Sequence, residues 1–214
     1  MQEKINEIDE DFLWEKMKSG DQSSFSQIFK FYYPKLYAYG IRLVPFPDFV
    51  RDQIQDLFIN IWQTREGLGE VFNLKAYLFT SLRRRLFLSK KKKLDTNSLE
   101  SISEEDNQIL IFEPDEFIDK EFISASVKEQ LIRNLNALPV NQREIIFLRF
   151  YHQLTYREIA GIINIKEQSV KNNMPKILQK LAAGITGISK EDIKDIDIML
   201  FNLFLLFHKN KSDF

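Results

Sequence analysis

Residues 155–181 read TYREIAGIINIKEQSVKNNMPKILQKL, and their pattern predicts two helices joined by a tight turn. Thr155 precedes Glu158 by three residues, which is the spacing of a capping box at the start of a helix. Apolar residues then recur at helical spacing, residues 164–166 supply a three-residue turn, and a longer helix is expected from Glu167. This spacing is typical of a helix-turn-helix motif.

The two helices of this motif need a small core between them. Ala160 is small enough to let the helices approach closely, and we expect the core to be formed by Ile159, Ile165 and Val170. The inner face of the second helix is expected to carry Val170, Met174, Ile177, Leu178 and Leu181.

The outer face of the second helix is polar. It offers Gln168, Ser169, Lys171, Asn172, Asn173 and Lys176, and the first helix adds Arg157. Amide side chains pair with adenine edges, whereas lysine pairs with guanine or phosphate. Many helical pairs with a polar face bind nothing, but residues 128–180 hold nine bases against four acids. The local positive charge favours DNA binding.

Upstream, residues 8–93 are predicted to form a separate helical unit. Its first long helix has an apolar face with Pro34 as a kink or restart, formed by Phe25, Ile28, Phe29, Tyr32, Leu36, Tyr39 and Leu43. A second helix is expected near Asp48, a plausible N-cap, and ends before Gly67 and Gly69. Its polar side carries Asp52, Gln55, Asp56 and Gln63. A third helix is expected from about Asn73.

Charge is divided into two opposite blocks, although the net charge is only −1. The first block holds seven bases and no acid: Arg83, Arg84, Arg85, Lys90, Lys91, Lys92 and Lys93. The second block, residues 95–121, holds ten acids and one base. Residues 94–116 also lack sustained periodicity, so they are predicted to be an acidic linker with a short ordered contact at residues 109–112.

Composition favours an all-α protein. With 7 Gly and 6 Pro in 214 residues, turn signals are too sparse for a many-stranded sandwich or barrel. We therefore expect two small helical domains, residues 1–93 and 117–188, joined by the acidic linker 94–116. The absence of cysteine excludes disulfides and thiolate metal sites. No cofactor or metal is expected.

The location of the protein is predicted from its N-terminal and apolar segments. The N-terminus runs into the acidic stretch 9–11 instead of a basic signal sequence. The longest apolar run, residues 196–207, is shorter than the roughly 20 residues that a membrane span needs. We expect a cytoplasmic protein without a membrane span.

Both helical units resemble the extracytoplasmic-function, or group IV, sigma factors of bacterial RNA polymerase. The second unit resembles their region four at Leu138-Pro139, Arg143, Phe147-Leu148-Arg149, Thr155, Glu158-Ile159-Ala160, Ile165 and Val170-Lys171. The first resembles their region two at Gly20-Asp21, Phe25, Asp52, Gln55-Asp56, Phe58, Trp62 and Ala76-Tyr77-Leu78, followed by the arginines. The two motifs stand in the family's order and cover roughly residues 10–183.

The resemblance implies a transcription-initiation factor that is not an enzyme and that binds RNA polymerase core, promoter DNA and an anti-sigma factor. By similarity, Asp52, Gln55 and Asp56 dock on core polymerase. Residues 65–73 and the next helix, with its basic block, engage the minus-ten element. The helix from Glu167 engages the minus-thirty-five element through Arg157, Gln168, Ser169, Lys171, Asn172 and Lys176.

The chain also departs from the family pattern. Arg84 replaces the usual Asn, and Leu88 stands where Asp or Asn is frequent. Lys166 replaces the usual Ser cap at the positive end of the recognition helix. Pro175 lies inside that helix, at a cost of roughly 3 kcal/mol if nothing compensates, and a kink at Met174 is expected. These residues predict contacts that differ from those of relatives.

Two other function classes compete with this interpretation. An enzyme is disfavoured because the two histidines, His152 and His208, lie near no catalytic or phosphate-binding motif. A helix-turn-helix regulator that does not bind core polymerase would account for the second unit. It would leave the carboxylate stripe, the arginines and the acidic linker without a role.

A tail, residues 189–214, extends beyond the family pattern. Its apolar residues recur at helical spacing and predict an extra C-terminal helix. That helix either packs permanently on the second domain or covers a binding surface of the free protein.

Overall fold

The computed structural model describes residues 9–96, 110–112 and 125–185, without the side chains of residues 89–96 and 125–128. The chain divides into two compact units between Asn107 and Gln108. No strand occurs in the described ranges, so the all-α prediction is confirmed. The tail 189–214 and most of the linker 94–116 lie outside these ranges.

Residues 9–96 of the first unit form four α-helices and one short 3-10 turn. These are α1 Glu10–Lys18, α2 Gln22–Leu43, α3 Pro47–Thr64, the 3-10 turn Arg65–Gly67, and α4 Leu74–Thr96. The predicted linker begins inside α4, because the helix continues three residues beyond Lys93.

Short polar side chains begin three of these helices. The carboxylates of Asp9 and Asp21 accept hydrogen bonds from the first-turn amides of α1 and α2, and Asn73 accepts from the amide of Ala76 in α4. Ser24 donates to Asp21 through both its amide and its hydroxyl, and these bonds lower the pKa of that carboxyl. The predicted start of α4 near Asn73 therefore has a local cause.

The N-cap predicted at Asp48 is wrong. α3 begins one residue earlier, at Pro47, and Phe46 in the cap position makes no side-chain cap bond. Proline suits the first helical position, because its missing amide would have no partner there in any case. Asp48 lies in the first turn of α3 and forms an ion pair with Arg51.

The core of the first unit lies where α2, α3 and α4 meet. Fully buried side chains include Leu36, Tyr39, Leu43, Val50, Ile54, Leu78, Phe79, Leu82 and Leu86. α2 continues as one helix through Pro34. At Gly40 a Cβ atom would lie 2.7 Å from Cγ1 of Val50, so the absence of a side chain lets α2 and α3 approach closely.

The second unit contains residues 110–112 and the helices α5 Ala125–Asn136, α6 Val140–Ile146, the π-helix Phe147–Tyr151, α7 Tyr156–Ile163 and α8 Glu167–Ala183. Pro139 separates α5 from α6. His152 is buried against the rings of Phe147 and Tyr151, with centroids 5.0 and 4.8 Å away. His208 lies outside the described residues.

Substituting Gly40→Ala should destabilise the first unit. Overpacking against Val50 costs about 1–3 kcal/mol, which exceeds the roughly 1 kcal/mol that alanine gains in helix propensity. Trp14 and Trp62 are the only tryptophans, and both lie in the first unit, so their fluorescence during urea unfolding follows that unit. Gly67→Ala, with no atom within 4 Å of the new Cβ, is the control. Equal midpoints for both variants would contradict the close approach.

Candidate nucleic-acid interface

α7 and α8 form the predicted helix-turn-helix, and local hydrogen bonds fix its geometry. Thr155 Oγ1 accepts from the amide of Glu158 at 3.3 Å, while Glu158 Oε2 accepts from the amide of Thr155 at 2.5 Å. The capping box is therefore confirmed. Asn164 ends α7 in the left-handed conformation, with φ 57°, and the Ile165 amide donates to the Ala160 carbonyl at 3.0 Å.

The core of this motif differs from the prediction at one position. Ile159, Ala160 and Val170 are buried as expected, but Ile165 is 40% exposed. The left-handed residue before it turns the chain, and Ile162 of α7 is buried in its place. The inner face of α8 is confirmed for the buried residues Val170, Met174, Ile177 and Leu181, with Leu178 half-buried.

The predicted reading residues share the outer face of the motif. The exposed members are Arg157, Gln168, Lys171, Asn172 and Lys176, and Ser169 is half-buried. Within α8, Gln168 Nε2 donates to Asn172 Oδ1 at 2.9 Å, and Lys171 Nζ lies 2.6 Å from Glu167 Oε1. Three of the predicted reading side chains, Gln168, Lys171 and Asn172, are therefore already paired along the helix.

Two departures from the family pattern have visible consequences in α8. Lys166 occupies the N-cap and makes no side-chain cap bond, as the sequence predicts. α8 continues as one helix past Pro175. Pro175 is exposed, so its ring faces solvent and not the core. Pro175 has no amide to donate, which leaves one carbonyl of the preceding turn without its helical partner.

A polar stripe lies on α3 of the first unit. Asp52, Gln55 and Asp56 are all exposed. On the opposite side, Phe58 packs against Phe29, with centroids 4.9 Å apart. The core contacts of α3 therefore come from its apolar side, and the stripe lies outside the core.

The rings next to this stripe join α2, α3 and the following turn. The ring of Trp62 lies 5.0 Å from that of Phe25, and the Arg65 guanidinium stacks on Trp62 at 4.6 Å. Arg65 Nη1 also donates to the Trp62 carbonyl at 2.8 Å. These contacts fix the start of the loop that leads to α4.

The loop and α4 present aromatic and basic groups. Phe72 is 91% exposed, a residue that the sequence analysis did not single out because one phenylalanine in a loop has no periodic signal. In α4, Arg84 is exposed and Arg83 and Arg85 are half-buried. The same helix also includes Lys90, Lys91, Lys92 and Lys93. Leu88 is exposed on α4.

Among the residues that the structure describes, no group of three or more histidine, cysteine, aspartate or glutamate side chains could hold a metal ion. Within the same ranges no helix is both long and apolar enough to cross a membrane.

The chain is similar to one family model and to several solved structures. Residues 128–181 match the family model described as sigma-70, region 4. CnrH, solved in complex with the cytosolic domain of CnrY, has a TM-score of 0.51 and 19% identity, covering 80% of this chain and 94% of CnrH. The sigma factor RpoE from Bartonella quintana, solved with the anti-sigma factor NepR, has a TM-score of 0.48 and 23% identity, covering 75% and 95%. A search of curated proteins finds no significant match.

The family match runs from within α5 to within α8. Residues 128–181 of the second unit are therefore similar to sigma-70, region 4. The first unit lies outside this match.

Proposed function

We propose that the two units divide the work of transcription initiation: α3 docks the first unit on RNA polymerase core, and α8 reads the minus-thirty-five element. The observation that carries this proposal is the separation of two surfaces. An acidic stripe lies on one unit, and a helix-turn-helix with exposed amide and lysine side chains lies on the other. Neither surface is required for the core of its own unit.

The stripe of Asp52, Gln55 and Asp56 suits a protein partner better than DNA. Phosphates repel carboxylates, so an acidic surface of a DNA-binding protein is free to meet a basic partner. Ile59 adds an exposed apolar side chain to the same helix, one turn beyond Gln55. An apolar group beside charges is typical of a protein interface.

The loop before α4 suits unstacked bases. Phe72 offers a free aromatic face, and stacking of a base on an aromatic ring contributes about 1–3 kcal/mol. Arg84 and the lysines of residues 90–93 follow on α4 and would hold phosphates of the opened minus-ten strand. Arg84 and Leu88 stand where group IV sigma factors carry other residues. We therefore propose that this protein prefers a minus-ten sequence different from theirs.

α8 suits the major groove. Its exposed Gln168 and Asn172 present amide groups, and the Lys171 and Lys176 ammonium groups can reach bases or phosphates. Glu167 holds Lys171 by an ion pair in the free protein, so DNA must compete for that ammonium group.

Two further features rest on the resemblance to group IV sigma factors. A partner that holds the factor inactive, an anti-sigma factor, is proposed for this chain. A cytoplasmic location is proposed as well, because core polymerase and promoter DNA are found there in bacteria.

Reversing one charge on the stripe should weaken core binding. We expect Asp56→Lys to raise the dissociation constant for purified core polymerase by about tenfold or more, because it places a cation against a basic partner. The dissociation constant can be measured by binding to surface-immobilised core or by fluorescence anisotropy. Glu15→Lys makes the same charge change at an exposed position of α1 and should bind like the unaltered protein. Equal binding by both variants would place the interface elsewhere.

Removing single lysines from α8 should weaken promoter binding by holoenzyme. Lys171→Ala and Lys176→Ala should each cost about 1–3 kcal/mol where a base contact is lost, with altered preference at that base. Where a phosphate contact is lost, affinity should fall on all sequences and the salt slope should decrease by about one. Lys180→Ala, one turn further on, is the control. Unchanged affinity and salt dependence for both variants would show that α8 does not contact DNA through them.

A further inference from the structure

Residues 110–112 lie on the second unit, although 12 residues separate them from the start of α5. Leu110 is fully buried and Phe112 is 1% exposed, whereas Ile111 between them is 42% exposed. This alternation is that of an extended segment with one side on a core. The Phe112 ring lies 6.5 Å from the ring of Phe147.

Hydrogen bonds fix the position of this segment along the chain. The Phe112 amide donates to Asn136 Oδ1 at 2.8 Å, and Asn136 Nδ2 donates to the Phe112 carbonyl at 3.0 Å. Arg143 Nη1 donates to the Leu110 carbonyl at 2.9 Å. Three polar bonds and two buried side chains therefore hold three residues, which defines the contact as an anchor.

We propose that this anchor, made by Asn136 and Arg143 on residues 110–112, shortens the chain that joins the two units and so limits which promoter spacer lengths are used. The proposal rests on the proposed function, since it requires the two units to bind the two promoter elements together. Asn136 is then a positioning residue for promoter selection.

The reach of the joining chain follows from covalent geometry alone. Thr96 ends α4, and 13 residues separate it from Leu110, whereas 28 separate it from Ala125. Whatever their conformation, residues 97–109 span at most about 50 Å. If the anchor opened, residues 97–124 would span up to about 100 Å. The anchor thus halves the largest separation that the units can reach.

The length of the joining chain affects simultaneous binding to the two promoter elements in two ways. Effective concentration falls roughly as the −3/2 power of chain length, so 28 residues in place of 13 reduce it about threefold. Each added base pair moves the second element by about 3.4 Å and turns it by about a tenth of a helical turn. A short chain therefore tolerates fewer spacer lengths than a long one.

The anchor itself can be measured in the free protein. The chain has no cysteine, so Lys30→Cys in α2 and Gln179→Cys in α8 give two defined spin-label sites. Asn136→Ala removes both bonds to Phe112, and the distance distribution should then extend to longer values. Ile111→Ala changes the exposed residue of the same segment and should leave the distribution unchanged. An unchanged distribution in Asn136→Ala would overturn the anchor.

The promoter consequence is measured with holoenzyme on templates whose spacer length varies one base pair at a time. Asn136→Ala should widen the range of active spacers and reduce output at the best spacer about threefold. Insertion of 15 Gly and Ser residues after Asn107 lengthens the chain without touching the anchor and should give the same profile. Ile111→Ala should match the unaltered protein.

These outcomes separate the two proposals. If the insertion leaves the spacer profile unchanged, core polymerase alone sets the spacing and the proposed role of the anchor is overturned. This test holds even if Asn136→Ala fails to fold. If the unaltered protein transcribes from no spacer length, the proposed function fails, while the spin-label distances still decide whether the anchor exists.

Discussion

The turn between α7 and α8 is the constraint on which the recognition surface depends. Asn164 reverses the chain in the left-handed conformation, and the capping box at Thr155 fixes where α7 begins. With both ends of α7 defined, burial of Val170 and Met174 sets the rotation of α8. The amide and lysine side chains of α8 then lie outward as a consequence of packing, without any further stabilising contact from DNA.

The separation of charge along the chain has a similar physical origin. Asp52 and Asp56 on α3 and Arg84 on α4 belong to one unit, and all three side chains are exposed. The proposed contacts with protein and with phosphate therefore require surfaces of opposite sign on one small core. Under the proposed function, each partner meets a surface of complementary sign.

Local signals in the sequence predicted most of the helices and the helix-turn-helix. Two predictions were wrong because an adjacent residue changes the local backbone. α3 begins at Pro47, so Asp48 is not its N-cap, and the turn at Asn164 leaves Ile165 exposed. Long-range contacts left no periodic signal. The bonds from Asn136 to Phe112 and from Arg143 to Leu110 join residues 24 and 33 positions apart. Asp52, Gln55 and Asp56 were predicted from polarity and resemblance, and their roles stay predictions.

The central proposal is that this chain acts as a sigma factor and directs core polymerase to promoters. Run-off transcription with purified core, the full chain and a fragmented genomic DNA pool tests it most directly. The account predicts transcripts that start at a small set of sites, depend on the chain, and share upstream elements separated by a narrow range of spacers. Formation of no holoenzyme, together with transcripts no different from those of core alone, would contradict it.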